Sequence, residues 1–221
     1  HDGRWLGGLA HADVDHRVAG SELYTGGKSG NLYQLVAHPH GALDGRLIAH
    51  LPGQEIHTIL AGELDDENDL PEILVFTRPG ALYRVTPSGP HGGFEAERVC
   101  ELPGRVRDAV VLPSETTRSR RIATVSRDGA LRVLWFEKGR LRSMDIHTEP
   151  MGMGRVALRR DTGPDPLVLY TTLDDGRVLR FERSGGTWSN ETIHAGPQGL
   201  RGVVSGRFHA DRSVEAVAVF G

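Results

Sequence analysis

The chain has 221 residues, a formal net charge of −3 and one cysteine, Cys100. The length suits a single all-β domain, the charge is too small and of the wrong sign to draw nucleic acid or an anionic membrane, and a lone thiol excludes an internal disulfide framework. No apolar run approaches the length of a bilayer span, so membrane insertion is not expected, and a low apolar share of 38% beside 29 glycines favours many short strands over long helices.

The first predicted strand is Leu9 to Ala12, rich in small and apolar residues, and the loop Asp13-Val14-Asp15 follows it. A second strand, Ser21-Glu22-Leu23-Tyr24-Thr25, turns at Gly30 into a third, Asn31-Leu32-Tyr33-Gln34-Leu35, and a more polar fourth covers Arg46 to Ala49 before Pro52-Gly53 stops it. The same phrase then returns. Copy two has Thr58 to Ala61, Ile73 to Thr77, Gly80, Ala81 to Val85, Glu97 to Cys100 and Pro103-Gly104. Copy three has Asp108 to Leu112, Arg121 to Thr124, Gly129, Ala130 to Leu134, Leu141 to Ile146 and Pro150-Met151-Gly152. Copy four has Arg155 to Leu158, Leu167 to Thr171, Gly176, Arg177 to Phe181, Asn190 to Ile193 and Pro197-Gln198-Gly199. A fifth copy begins with Val203 to Phe208 and has its second strand in Glu215 to Phe220.

Turn glycines at 30, 80, 129 and 176 recur at a period typical of propellers, solenoids and arrays. Second strands such as Ile73 to Phe76 are apolar without alternation, which requires cover on both faces. Fourth strands are polar enough to meet water. Such a gradient is what radial stacking of four-stranded blades produces. The sequence therefore predicts an all-β fold: a β-propeller in one domain, 1–221, of five blades of four antiparallel strands. The repeats run over about 6–53, 54–104, 105–150, 151–199 and 200–221, and the fifth blade is incomplete in this chain. A larger propeller continuing beyond these residues is the alternative.

The loop between first and second strands carries a family resemblance. Asp13-Val14-Asp15 with Ala19 to Leu23, and Glu63 to Asp69 with Pro71 to Val75, resemble the aspartate-rich loop of FG-GAP-type, integrin-alpha-like and bacterial extracellular propeller repeats; copy five keeps His209-Ala210-Asp211 and Glu215-Ala216-Val217. The resemblance implies a propeller, an extracytoplasmic setting and, where the loop is complete, a Ca²⁺ site closed by a further acidic residue. Calcium takes six to eight oxygens. The best candidate ligands are Asp65, Asp66, Asn68 and Asp69 in copy two, so calcium is the one cofactor to consider, and an exposed loop whose side chains cap their own backbone is the favoured reading.

Other residues point to scaffold. His50, His147 and His194, with Glu101 in copy two, read as one repeat position at the end of the fourth strand, on a circle too wide to share one ion. His38-Pro39-His40 falls in a turn and lacks a third ligand. Thr25, Thr77, Thr124 and Thr171 read as equivalent threonines closing buried strands, and Cys100 as a buried, inert thiol. No nucleophile elbow, phosphate-binding glycine loop or His-Glu-x-x-His is present. The expected function is a non-catalytic binding module engaging a protein or glycan through the rim loops Asp65 to Pro71, Pro87 to Gly93 and Pro113 to Arg120. A tachylectin-like lectin is the alternative, although Trp5, Trp135 and Trp188 do not share a repeat position. A hydrolase or lyase with its site over a central channel ranks third.

Overall fold

The computed structural model describes residues 6–38, 40–65, 70–89, 92–113, 120–159, 166–206 and 216–220. These hold eighteen strands and no helix, in antiparallel sheets of four, four, four, four and two strands. They form two compact units, one of residues up to Val106 with Phe136–Leu141, the other of Arg107–Trp135 with Arg142 onward.

In the first unit, sheet one is the meander β1 (Leu6–Ala12), β2 (Glu22–Gly27), β3 (Asn31–Ala37) and β4 (Leu43–His50). Sheet two repeats it with β5 (Ile56–Gly62), β6 (Glu72–Thr77), β7 (Ala81–Ser88) and β8 (Gly93–Glu101). Strands β1 and β2 pack against β5. Gly8 and Gly26 permit this approach, because a Cβ on either would come within 2.7 Å of Ile59 or Ile56. Val14, Tyr24, Leu32, Ile56, Ile59, Ile73 and Val75 form the buried core between the sheets.

The second unit holds most of sheet three, β9 (Val106–Val111), β10 (Ile122–Ser126), β11 (Ala130–Glu137) and β12 (Arg140–Thr148). Sheet four follows as β13 (Met153–Leu158), β14 (Leu167–Leu173), β15 (Arg177–Ser184) and β16 (Thr187–Ala195), and then the pair β17 (Gly202–Gly206) and β18 (Ala216–Phe220). Here β10 packs on β13, which packs on β17. The core joins Val125, Leu131, Val133, Met153, Leu169, Leu179 and Phe181, and Trp135 and Trp188 lie against it.

The burial gradient read from the sequence is present. Strands β6, β10 and β14 are buried along their whole length, while β4, β8, β12 and β16 are mostly exposed. The fourth strands are longer than predicted, since their polar outer halves still complete the hydrogen-bond ladder.

One backbone device recurs in all four complete sheets. Each turn glycine donates to the carbonyl three residues back, at 3.1 Å, and its own carbonyl accepts from the chain leaving the fourth strand, at Leu51, Leu102, Glu149 and Gly196. The glycine is obligatory twice over. At Gly129 φ is 82°, and a Cβ would lie 2.0 Å from the Glu149 carbonyl oxygen.

That bond also fixes the repeat register. Counting back from the four donors, His50 and Glu101 precede theirs by one residue, whereas His147 and His194 precede theirs by two. The histidines therefore occupy two neighbouring positions on opposite faces of the strand, which corrects the reading of them as one. The strand ladders agree, since His50 pairs with Asn31 and Glu101 with Ala81, but His194 pairs with Val178, the counterpart of Leu32 and Leu82. A similar correction applies to the threonines. Thr25, Thr124 and Thr171 lie five residues before their turn glycine, inside the strand, whereas Thr77 lies three before Gly80 and is the counterpart of Ser126. The Thr77 hydroxyl donates to the Ala81 carbonyl at 3.0 Å, as Ser126 does to Ala130 at 3.1 Å.

Candidate functional site

At one end of the first unit, the loops after β1 and β5 and the β7–β8 hairpin surround a cavity of about 430 Å³. Its polar wall holds Asp15, Arg17, Asp65, Arg84, Glu95 and Glu97. Asp15 and Asp65 fall at one repeat position, fifteen residues before Gly30 and Gly80, and both are buried.

Each is anchored from behind by a glutamate that opens the second strand. Glu22 Oε2 accepts from the backbone N–H of Val14 at 3.1 Å and from the Tyr24 hydroxyl at 2.6 Å. Burial and the adjacent Glu22 carboxylate push the Tyr24 phenol well above its ordinary range. Glu72 takes the same place in sheet two, hydrogen-bonded to both the side chain and the backbone of Asp65. Among the described residues its Oε1 is buried without a hydrogen-bond partner. Burial first, and the charge of Asp65 second, push the Glu72 carboxyl up to about 8 against the pull of Arg84. Glu72 is therefore protonated at neutral pH, which removes most of the cost of its orphaned oxygen.

The two sheets balance their aspartates differently. Asp15 accepts from Arg17 Nε and from Arg46 on β4, both at 2.5 Å. Burial opposes its ionisation, yet the hydrogen bonds from Arg17 and the charges of Arg17 and Arg46 prevail and hold the carboxyl below its ordinary value. Asp65 instead accepts from Arg84 on β7 at 3.0 Å, and Arg84 also reaches Glu97 on β8 at 3.0 Å. Gln34 stands at the Arg84 position of sheet one and accepts from Arg46 Nε at 2.5 Å. The cation has moved one strand outward, and the carboxylate remains covered in both cases.

Of the four residues proposed to bind calcium, Asp65 lies in this wall with one carboxylate oxygen taken up by Arg84. Asp66, Asn68 and Asp69 lie outside the described residues. Among the described residues no three His, Cys, Asp or Glu side chains gather as a metal site would require. His50 Nδ1 is 2.7 Å from the Asn31 amide oxygen, His147 Nε2 is 2.9 Å from Glu149, and His38 Nε2 is 2.7 Å from Asp44. Cys100 is half-buried and free, and burial raises its thiol pKa. Reading the sequence missed Glu22, Glu72, Arg46 and Arg84. The glutamates did leave a signal, an acidic residue opening the second strand in copies one, two and five. The arginines left none, because they sit on different strands.

No family model and no curated protein matches this sequence.

Proposed function

We propose that the chain is a non-catalytic β-propeller, its sheets serving as blades and the fifth incomplete here, which binds a protein or carbohydrate partner at the Asp15–Asp65 pocket. The supporting observation is the way the pocket wall is built. Its two buried aspartates are held by guanidinium groups, and its buried glutamates are sealed behind them. Carboxylates so occupied are poor bases and nucleophiles, but they make a rigid, pre-set surface for recognition. The cavity is of a size that receives one or two sugar rings or a pair of side chains. Leu70 is an exposed apolar edge, and Glu95 and Glu97 face solvent at the outer strand. Four carboxylates against Arg17 and Arg84 favour ligands rich in hydroxyl or cationic groups.

The kinship with FG-GAP repeats belongs to the same proposal. In that reading, Arg46 and Arg84 supply the positive charge that a calcium ion supplies in a complete loop, and the closing acidic residue survives as Glu22 and Glu72. Trp135 and Trp188 lie against the core of the second unit, so neither offers the repeated platform expected of the tachylectin-like alternative.

The deciding experiment compares wild type with a Glu95→Ala, Glu97→Ala double variant on a glycan array and on a library of basic peptides. Glycan binding lost in the variant supports a carbohydrate partner. Peptide binding lost in the variant, with the array silent, supports a protein partner. Binding that the double variant leaves intact in both formats overturns the pocket as the site.

A further inference from the structure

At the opposite end of the same strands lies a second cavity of about 430 Å³, lined by Lys28, Glu55, Ile56, His57, Arg78 and Arg105. Repeat symmetry explains why these residues meet. Lys28 and Arg78 each stand two residues before a turn glycine, in the β2–β3 and β6–β7 turns. Glu55 and Arg105 each precede the buried apolar residue that opens a first strand, Ile56 and Val106. His57 is the extra residue of a β-bulge, since Ile56 pairs with Thr77 and Thr58 with Phe76. Bulges of this kind re-aim side chains at the rims of sheets.

The chemistry of this cavity is one-sided. Three permanent cations and one carboxylate line it, on a chain whose net charge is −3. Glu55 binds Arg78 twice, through the side chains at 2.8 Å and through the Arg78 backbone N–H to the Glu55 carbonyl at 2.7 Å. It fixes the guanidinium at the cavity wall. Lys28 and Arg105 stand close enough to act on the same carboxylate, which is held below its ordinary value first by the Arg78 hydrogen bond and then by all three charges. A concave site with converging guanidinium and ammonium groups attracts compact, multiply charged anions, because the planar fork of arginine matches the oxygen spacing of phosphate.

We infer that this cavity binds a dianionic tetrahedral oxyanion, a phosphate group either free or carried as a monoester on a larger molecule. The site is separate from the Asp15–Asp65 pocket and stands or falls independently of it.

The test is a ¹H–¹⁵N chemical-shift titration of the whole chain with inorganic phosphate at constant ionic strength, against sodium chloride as control. Saturable shifts are expected at the amides of Lys28, Ile56, His57 and Arg78. Lys28→Gln should weaken binding about fivefold, as loss of one partly screened charge implies, while Glu55→Gln should tighten it by a similar factor. The opposed signs separate a charge-reading site from general damage, and Lys28 is exposed, so its variant keeps the fold. Glycerol 3-phosphate then distinguishes the two sources. Tighter binding than inorganic phosphate indicates a carried group, and weaker binding a free ion. Shifts that chloride reproduces, a preference for succinate over phosphate, or equal affinities in wild type and both variants would overturn the assignment.

Discussion

Replacing Glu72 by glutamine should abolish a pH dependence that this one side chain imposes on folding. Glu72 is almost wholly buried, and its carboxyl titrates at about 8 in the folded chain against an ordinary value of 4.5. Between those values the native state holds a proton that the unfolded chain has released. The stabilisation is therefore complete below pH 4.5, declines as pH rises, and is gone once pH has passed about 8. Integrated from pH 5 to pH 9, a shift of this size amounts to about 4 kcal/mol. Groups common to both proteins, the raised Asp108 among them, cancel in the difference between wild type and variant, and Asp15, Asp128, Glu149 and Asp175 have lowered values and titrate at more acid pH. Glutamine keeps the shape and neutrality of the protonated acid. Urea unfolding of wild type and Glu72→Gln at unit steps of pH gives the difference directly. Wild type should lose about 4 kcal/mol relative to the variant on going from pH 5 to pH 9. Two profiles that run parallel within about 1 kcal/mol would show that Glu72 is ionised in the native protein and that its wall of the pocket carries a full extra charge.

Three further outcomes follow from the geometry. Gly129→Ala should lower stability by at least about 2 kcal/mol, since a left-handed φ and a blocked Cβ combine there; Gly185→Ala, at φ 54° where an added Cβ meets no described atom within 4 Å, should cost only the conformational part, and equal melting temperatures for the two would refute the argument. Thr77→Val should cost about 1 kcal/mol through the lost bond to the Ala81 carbonyl, read from chemical denaturation, and should leave ligand binding at either cavity unchanged. Millimolar calcium should leave the melting temperature where it is, because Arg84 already occupies Asp65; a rise that Asp65→Ala abolishes would show a working calcium loop.

What was legible in the sequence is what the backbone repeats. The glycine at 30, 80, 129 and 176 answers to a hydrogen bond and a close approach that depend on no neighbouring side chain, so its period survives divergence. The continuous apolar run of β6 and the polarity of β8 likewise follow from burial alone. Register within the fourth strand was not legible. Each of β4, β8 and β16 carries an extra residue, at Ile48, Val99 and Ile193, before its last ladder pairs, and such bulges leave no mark in hydrophobic pattern. The bulge falls at the same place in all three, so it does not separate His50 from His194; they differ because His50 stands two residues before Pro52 and His194 three before Pro197, which reading both as the end of the strand overlooks. The candidate site was half visible for a related reason. Its acids repeat, since each closes a loop onto its own backbone, while its cations came from whichever strand had room.

That asymmetry between repeated acid and unrepeated cation locates where the copies have specialised. Sheets one and two share an aspartate, a closing glutamate and a covering guanidinium, yet Tyr24 stands at the repeat position of Leu74 and Gln34 at that of Arg84. With Tyr24 donating to Glu22, sheet one meets its glutamate with a neutral hydroxyl and needs its arginine farther out, at Arg46. Leu74 offers no donor, so sheet two keeps a proton on Glu72 and brings Arg84 in beside Asp65. The outward strand is then free to present Glu97 instead of a cation, and Glu97 lies on the cavity wall. A substitution in the core, tyrosine for leucine, thus alters the charge that the rim shows to a ligand. The pocket draws its character from this difference between neighbouring copies, and a chain of identical repeats would lack it.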